Sequence, residues 1–336
     1  MATYKEIKGT LIPALAADPP TALAQGEMWY RSDSDVYKMG AKLAAWSAGG
    51  NLPGAQVGMA SGGTRDAAWA CSGQATAPAP TAPTATIFYN GTAWADQSAA
   101  TTMPNSGYIG STGTQAAAIM AGGNPGLPHP PGAGASEWGG SSWTAIPARP
   151  TDARYTGGFG TATTACMVGG ATWGGITASA NVDKWNGTSW SSETSMPVPK
   201  NLASGGSGIE TLGLVVGGGQ HPGIVFDTVD EYNGASWSAG AVYPGPVDSI
   251  TQAGPSAAGY AFGGNFAPGG RTTETNMYDG EAWSSGATIT TGRSAGGRAV
   301  TGGQTATALF GGTQPGNSNA TEEYSDGDAI QEISTT

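Results

Sequence analysis

One period governs this sequence. The segments YNGTAW (89–94), WGGSSW (138–143), WNGTSW (185–190), YNGASW (232–237) and YDGEAW (278–283) each end on a tryptophan. Those residues, Trp94, Trp143, Trp190, Trp237 and Trp283, follow one another at separations of 49, 47, 47 and 46. A degenerate sixth copy, YSDGDAI (324–330), puts Ile330 in the tryptophan place. Between these units recurs a second landmark, an apolar run closing on glycine at Gly123, Gly170, Gly218, Gly264 and Gly312. The earliest run, AAWACSG, closes at Gly73 with Ser72 in place of the first glycine. Two landmarks keeping one period restrict the chain to a repeat architecture.

Each landmark has a physical task. Asn-Gly, Asp-Gly and Gly-Gly reach positive φ cheaply, which predicts two-residue type I′ hairpin turns with an aromatic residue ending one strand and the tryptophan on the next. The apolar runs, such as LGLVV (212–216), scarcely alternate, as expected of strands covered on both faces. Gly/Ser/Ala-rich stretches precede them, among them VGMASGG (57–63) and YTGGFG (155–160), and small side chains suit strands packed at a crowded axis. Four strands per repeat is the composition of a propeller blade.

The combination of Gly-Gly after an apolar strand, then an aromatic residue, then Trp, resembles kelch repeats over residues 45–335. That resemblance implies an all-β fold, a six-bladed kelch-like β-propeller occupying residues 27–336. Residues 27–48 either lend a strand that closes the ring on the C-terminal EEYSDGDAIQEIST or begin a seventh, incomplete blade; six is the preferred number. Residues 1–26 lie outside the repeat, and Pro13, Pro19 and Pro20 prevent a long helix there, so an extended N-terminal arm is expected.

Composition narrows the function. A net charge of −11 with only 13 scattered basic residues argues against nucleic-acid binding. Lys5, Glu6, Lys8 and Pro13 interrupt the N-terminal apolar stretch, so neither a secretory leader nor a membrane-inserting segment is expected, and the protein is expected to begin in a cytoplasm. Cys71 and Cys166 sit in apolar runs and read as buried free thiols. Asp33 and Asp35 (RSDSD) read as a tight turn rather than half of a calcium loop. Asn90 and Asn186 head glycosylation sequons but read as turn residues, and the tryptophan series reads as packing between blades.

Two enzymes share propeller architecture. Galactose oxidase, a kelch propeller, needs two histidines beside tyrosine ligands for copper, whereas His129 and His221 here stand in proline-flanked loops two repeats apart. Sialidases carry Asp boxes and an arginine cluster, and neither is evident among the seven arginines. A glycosidase needs two convergent carboxylates, which a sequence alone does not exclude. No catalytic residue, cofactor or metal ligand is assigned; the expectation is a non-enzymatic binding surface, with proline-rich loops at 76–84 and 123–136 on the ring faces.

The opening ATYKEIKGT (2–10) and GEMWYRS (26–32), followed by a Gly-, Ala- and Thr-rich kelch array, resemble virion-associated kelch-repeat proteins of marine bacteriophages. The resemblance implies a structural protein of the virion, assembled in the host cytoplasm and exposed on the particle as a tail fibre or host-recognition adhesin. Capsid decoration, a glycan-degrading enzyme and a kelch interaction scaffold are the alternatives. The arm, with Tyr4, Lys5, Ile7 and Leu11 as attachment residues, would join other virion proteins. The propeller would meet a host glycan or protein, with copies assembling as a homo-oligomer.

Overall fold

A computed structural model of the protein describes residues 3–7, 10–18, 27–75, 85–97, 107–123, 132–172, 177–202, 205–220, 223–300 and 306–333. Among them there are strands, turns and bends but no helix. The chain forms two compact units, residues 46–324 and residues 1–45 with 325–336. Strands Val36–Ala48 and Thr321–Ile333 contribute residues to both.

The larger unit is a propeller-like array of antiparallel sheets. Five have four strands each, and in every one the strands follow chain order from a first strand, Gly/Ser-rich in all but Thr251–Ala253, to a fourth strand at the sheet's far edge. The sheet of the third repeat is representative. Gly157–Gly160, Ala165–Val168, Val182–Trp185 and Trp190–Ser192 pair as Gly157↔Val168, Cys166↔Lys184 and Trp185↔Trp190. First and second strands are buried throughout, the third is buried except at Lys184, and the fourth is mostly exposed. The apolar runs without alternation are therefore the second strands, and neighbouring sheets cover both of their faces. Gly297–Arg298, Ala306–Phe310, the 321–324 portion of Thr321–Ile333 and the 46–48 portion of Val36–Ala48 are likewise neighbours in sheet order.

First strands touch one another in succession. Ala60–Thr64 meets Gly110–Gly113, which meets Gly157–Gly160, then Ser207–Ile209, Thr251–Ala253 and Gly297–Arg298, and this last strand meets Ala60–Thr64 again. Ahead of five of the six first strands the backbone turns left-handed, at Gly58, Tyr108, Tyr155, Ser249 and Ala295 with φ between 52° and 64°. These turns are hydrogen-bonded through their backbones. Tyr108 N–H donates to Gly58 O, Tyr155 N–H to Tyr108 O, Leu202 N–H to Tyr155 O, Ala295 N–H to Ser249 O, and Gly58 N–H to Ala295 O. A left-handed non-glycine residue costs about 1–2 kcal/mol, and four non-glycine residues hold that conformation here.

The double glycines form a second series of links. Gly123, Gly170, Gly218, Gly264 and Gly312 donate their N–H to Ala153 O, Lys200 O, Val247 O, Arg293 O and Gln56 O, each at 2.8–2.9 Å and each on the segment leading into the next sheet. Both glycines of every pair have positive φ. The first stands so close to the accepting strand that a Cβ at Gly217 would lie 2.2 Å from Val247 O. At the variant first copy, Ser72 itself adopts φ 61°.

The aromatic hairpins differ from the expected two-residue turn. Tyr89 pairs with Trp94, so four residues lie between them, and only Gly91 has positive φ. Asn90 acts through its side chain: Oδ1 accepts from Thr92 N–H at 3.0 Å and Ala93 N–H at 2.9 Å, while Asn90 N–H donates to Ala93 O. Asn186, Asn233 and Asp279 repeat this arrangement. A short acceptor side chain that caps its own loop replaces the second positive-φ residue.

In the smaller unit Thr3–Ile7 and Thr10–Leu15 form an antiparallel hairpin, and Thr10–Leu15 runs parallel to Met28–Arg31. Tyr4, Lys5 and Ile7 lie on the first of these strands and Leu11 on the second. Asp18 accepts hydrogen bonds from Trp29 Nε1 at 3.1 Å and Lys38 Nζ at 3.3 Å, and pairs with Arg31 at 2.8 Å. The Arg31 guanidinium, chief among these partners, holds the Asp18 carboxyl below its ordinary range. Residues 32–35 form the turn between Met28–Arg31 and Val36–Ala48, with Asp33 bonded to Arg31.

Candidate functional site

The repeated tryptophans serve the scaffold. Each packs on the aromatic residue across its hairpin, as Tyr278 does on Trp283 with ring centroids 4.7 Å apart. Each indole N–H then donates to the preceding sheet or its exit. Trp143 reaches Thr86 Oγ1 at 2.7 Å, Trp94 reaches Thr321 Oγ1 at 2.9 Å, and Trp190, Trp237 and Trp283 reach the carbonyls of Pro147, Thr194 and Ala241. Trp46, which the repeat count passes over, does the same: its N–H reaches Thr275 Oγ1 at 3.0 Å and its ring meets Tyr324 and Phe262. The tryptophans act between sheets, and the glycines of the second landmark link the same sheets through their backbones.

Buried charge forms a third recurring element. Arg149 pairs with Asp183 at 2.8 Å and Lys200 with Asp230 at 2.7 Å, and Arg293 bonds Glu322. Asp183, Asp230 and Glu322 hold the same place, second in their third strands, and their cations lie on the segments entering the same sheets. Burial draws the Arg149 and Arg293 guanidinium groups down, opposed by the neighbouring carboxylates. The thiols are buried and free; burial pushes Cys71 up to about 11 and Cys166 up to about 12, which makes both poor nucleophiles.

Arg298 stands apart from these pairs. It is 2% exposed, and its Nη2 donates to Gly158 O at 3.0 Å and Gly206 O at 2.5 Å, on or beside first strands two and three sheets away. Its Nε has no hydrogen-bond partner. Desolvation alone, with no carboxylate to oppose it, draws its pKa down to about 9. The side chain thus reaches across the space between the first strands and ties distant sheets together.

The left-handed turns surround a depression of about 410 Å³. Val57 and Ala295, both buried, supply its apolar floor with Tyr108 and Tyr155 packed against them. The two tyrosine rings lie with centroids 4.4 Å apart at 48°, and the Arg154 guanidinium lies 5.1 Å from the Tyr155 ring centre. Gly58 makes room for this pair, since a Cβ there would meet Tyr108 Cδ1 at 2.8 Å. Asn201, Gln220, Asp248, Asn265 and Arg271 supply the polar wall. Asn265 Nδ2 donates to Asp248 Oδ1 at 3.0 Å, and Asn201 Oδ1 is buried without a partner. Burial raises the Tyr108 phenol above its ordinary value, with the Tyr155 phenol adding to it.

None of these lining residues carried a motif. The signal available was positional: Tyr108 and Tyr155 each stand just ahead of a Gly-rich first strand. His129, His221 and the loop 76–84 lie outside the described residues, as does most of 123–136. Among the described residues no three or more His, Cys, Asp or Glu side chains group to hold a metal ion. The chain matches no known family model and no curated protein in sequence.

Proposed function

We propose that residues 46–324 close into a six-bladed propeller and that the chain is a non-enzymatic structural protein on the surface of a bacteriophage particle, a tail fibre or adhesin that recognises the host. Six-blade closure is supported by the succession of first-strand contacts, which returns to its start, and by the link from Gly312 N–H to Gln56 O. Residues 324–330 run on within the strand Thr321–Ile333 instead of turning as a hairpin, and Trp46 supplies the indole that this copy lacks, so the sixth blade takes its outer strand from the N-terminal side. On this reading Trp46→Ala and Trp94→Ala destabilise the large unit alike, each by roughly 2–3 kcal/mol, below the roughly 3–5 kcal/mol of a fully buried aromatic because both are half buried. Urea unfolding followed by tryptophan fluorescence measures both. A Trp46→Ala variant as stable as wild type would exclude this closure.

The particle role rests on one observation: the repeat array and the chain ends belong to different units. Such a division separates a handle from a rigid display surface, on which loops are free to contact a partner. The kelch pattern and the segments 2–10 and 26–32 supply the resemblance to phage proteins. In this role Tyr4, Lys5, Ile7 and Leu11 engage other virion proteins and several copies assemble on each particle. Deleting residues 1–26 is expected to abolish incorporation into particles while the Gly170 and Gly218 amides of the propeller keep their hydrogen-exchange protection. Incorporation at wild-type levels would overturn the handle, and cryo-electron microscopy of particles lacking this density would overturn the virion role.

A further inference from the structure

We infer that the depression at the left-handed turns is a saccharide site that takes one pyranose ring of a glycan against Tyr108 and Tyr155; this rests on the host-recognition reading and names its ligand. The floor and wall have opposite characters. Val57, Ala295 and the two tyrosines offer an apolar, aromatic surface of fixed shape. Around it stand polar groups with hydrogen-bonding capacity left over. Asn201 Oδ1 accepts nothing, and Asp248 accepts one side-chain bond, from Asn265, leaving lone pairs on a charged carboxylate. Arg271 is exposed, carries donors and faces the same space.

A pyranose answers both halves. Its axial C–H groups make an apolar face that lies on an aromatic ring, and its hydroxyls each donate and accept around the rim. An apolar ligand would bury the Asp248 carboxylate dry and leave Asn201 Oδ1 unpartnered as it is, which costs more than its own burial returns. A phosphate would meet Arg271 but also the Asp248 carboxylate, and the N–H groups of the turns at Gly58, Tyr108, Tyr155 and Ala295 are donated to the carbonyls of neighbouring turns rather than gathered as a nest for a ligand. The depression is of the size that small-ligand sites occupy. Preorganisation is built in: the tyrosines sit on hydrogen-bonded left-handed turns, so little ordering remains to be done on binding.

The test uses the full-length purified protein and the methyl glycosides of glucose, galactose, mannose and N-acetylglucosamine. Saturation-transfer NMR and calorimetry are expected to show at least one of them binding with a dissociation constant on the order of 1 mM, the range for a single sugar-sized ligand. Asn201→Ala and Asp248→Ala should each weaken it about 5-fold, as loss of a hydrogen bond does. Should Asp248→Ala fail to fold because Asn265 loses its acceptor, Arg271→Gln replaces it, with the same expected loss. No saturable binding by any of the four glycosides, or binding that these variants leave intact, would overturn the site. Adhesion of protein-coated beads to host cells separates this from the broader reading. Beads that adhere equally with wild type and Asn201→Ala keep host recognition and remove the saccharide site from it; wild-type beads that fail to adhere, with glycoside binding intact, do the reverse.

Discussion

Asp183→Ala is expected to cost about 3–5 kcal/mol of folding stability, because it strands a buried guanidinium without its counter-charge. The Arg149 and Asp183 side chains are both 0% exposed. Asp183 Oδ2 accepts from Arg149 Nε at 2.8 Å, and its oxygens also take the Thr151 N–H and the hydroxyls of Thr151 and Ser192. Removing the carboxylate therefore leaves Arg149 with Thr156 Oγ1 alone, at 3.4 Å, while Nη2 already lacks a partner. Water does not reach the site to compensate. The double replacement Arg149→Met with Asp183→Val should recover part of the loss, since the apolar pair carries no stranded charge; the remainder is the cost of the Thr151 N–H and the Thr151 and Ser192 hydroxyls left without their acceptor. Chemical denaturation of the three proteins measures this. A single variant losing under 1 kcal/mol would mean that the guanidinium finds water or a new acceptor, and that the pair does not hold the 149–151 segment to the third strand.

That pair also shows where the sequence is legible and where it is not. A period is visible when the same residue type recurs, so Trp94 to Trp283 and the double glycines announce the sheets and their number of strands. The acid at the second position of the third strand is Asp183, Asp230 and Glu322 in three repeats, but the place is held by Ile87, Ser136 and Asn276 in the others. Selection there acts on burying a partnered group, and a blade can meet that need with an ion pair, an amide on Tyr243 or an apolar side chain. Trp46 is hidden for another reason. It precedes its aromatic neighbour Tyr324 by most of the chain's length, so no local hairpin pattern joins them. The depression was less legible still. Its tyrosines adopt positive φ, a conformation their residue type disfavours, and what holds them there is tertiary: the backbone bonds between successive turns and the packing of the two rings on each other and on Val57 and Ala295. The asparagine of the NG units was read for its backbone when its side chain does the capping.

Gly217→Ala should destabilise the large unit by about 2–5 kcal/mol, the sum of a left-handed alanine at roughly 1–2 kcal/mol and a lost or distorted buried backbone hydrogen bond at roughly 1–3 kcal/mol. The alanine Cβ would lie 2.2 Å from Val247 O and 2.8 Å from Val247 Cγ1, and the first of these is backbone, which no rotamer change moves aside. Relief requires the 247 segment to retreat, and Val247 O is the acceptor of Gly218 N–H at 2.8 Å, so the strain breaks the link between two sheets. Val247 is itself fully buried among Leu214, Val216, Tyr243 and Ile250, so the retreat also opens that cluster. Gly316→Ala is the matched control: nothing lies within 4 Å of its Cβ and its φ is not left-handed, so its effect should stay within about 0.5 kcal/mol. Hydrogen exchange locates the damage as well as its size, because the Gly218 amide should lose protection in Gly217→Ala while the Gly312 amide, bonded to Gln56 O two sheets further along, keeps most of its own. Equal stability of the two alanine variants would mean that the double glycine is tolerated as sequence rather than required by the close approach of one sheet's carbonyl to the next.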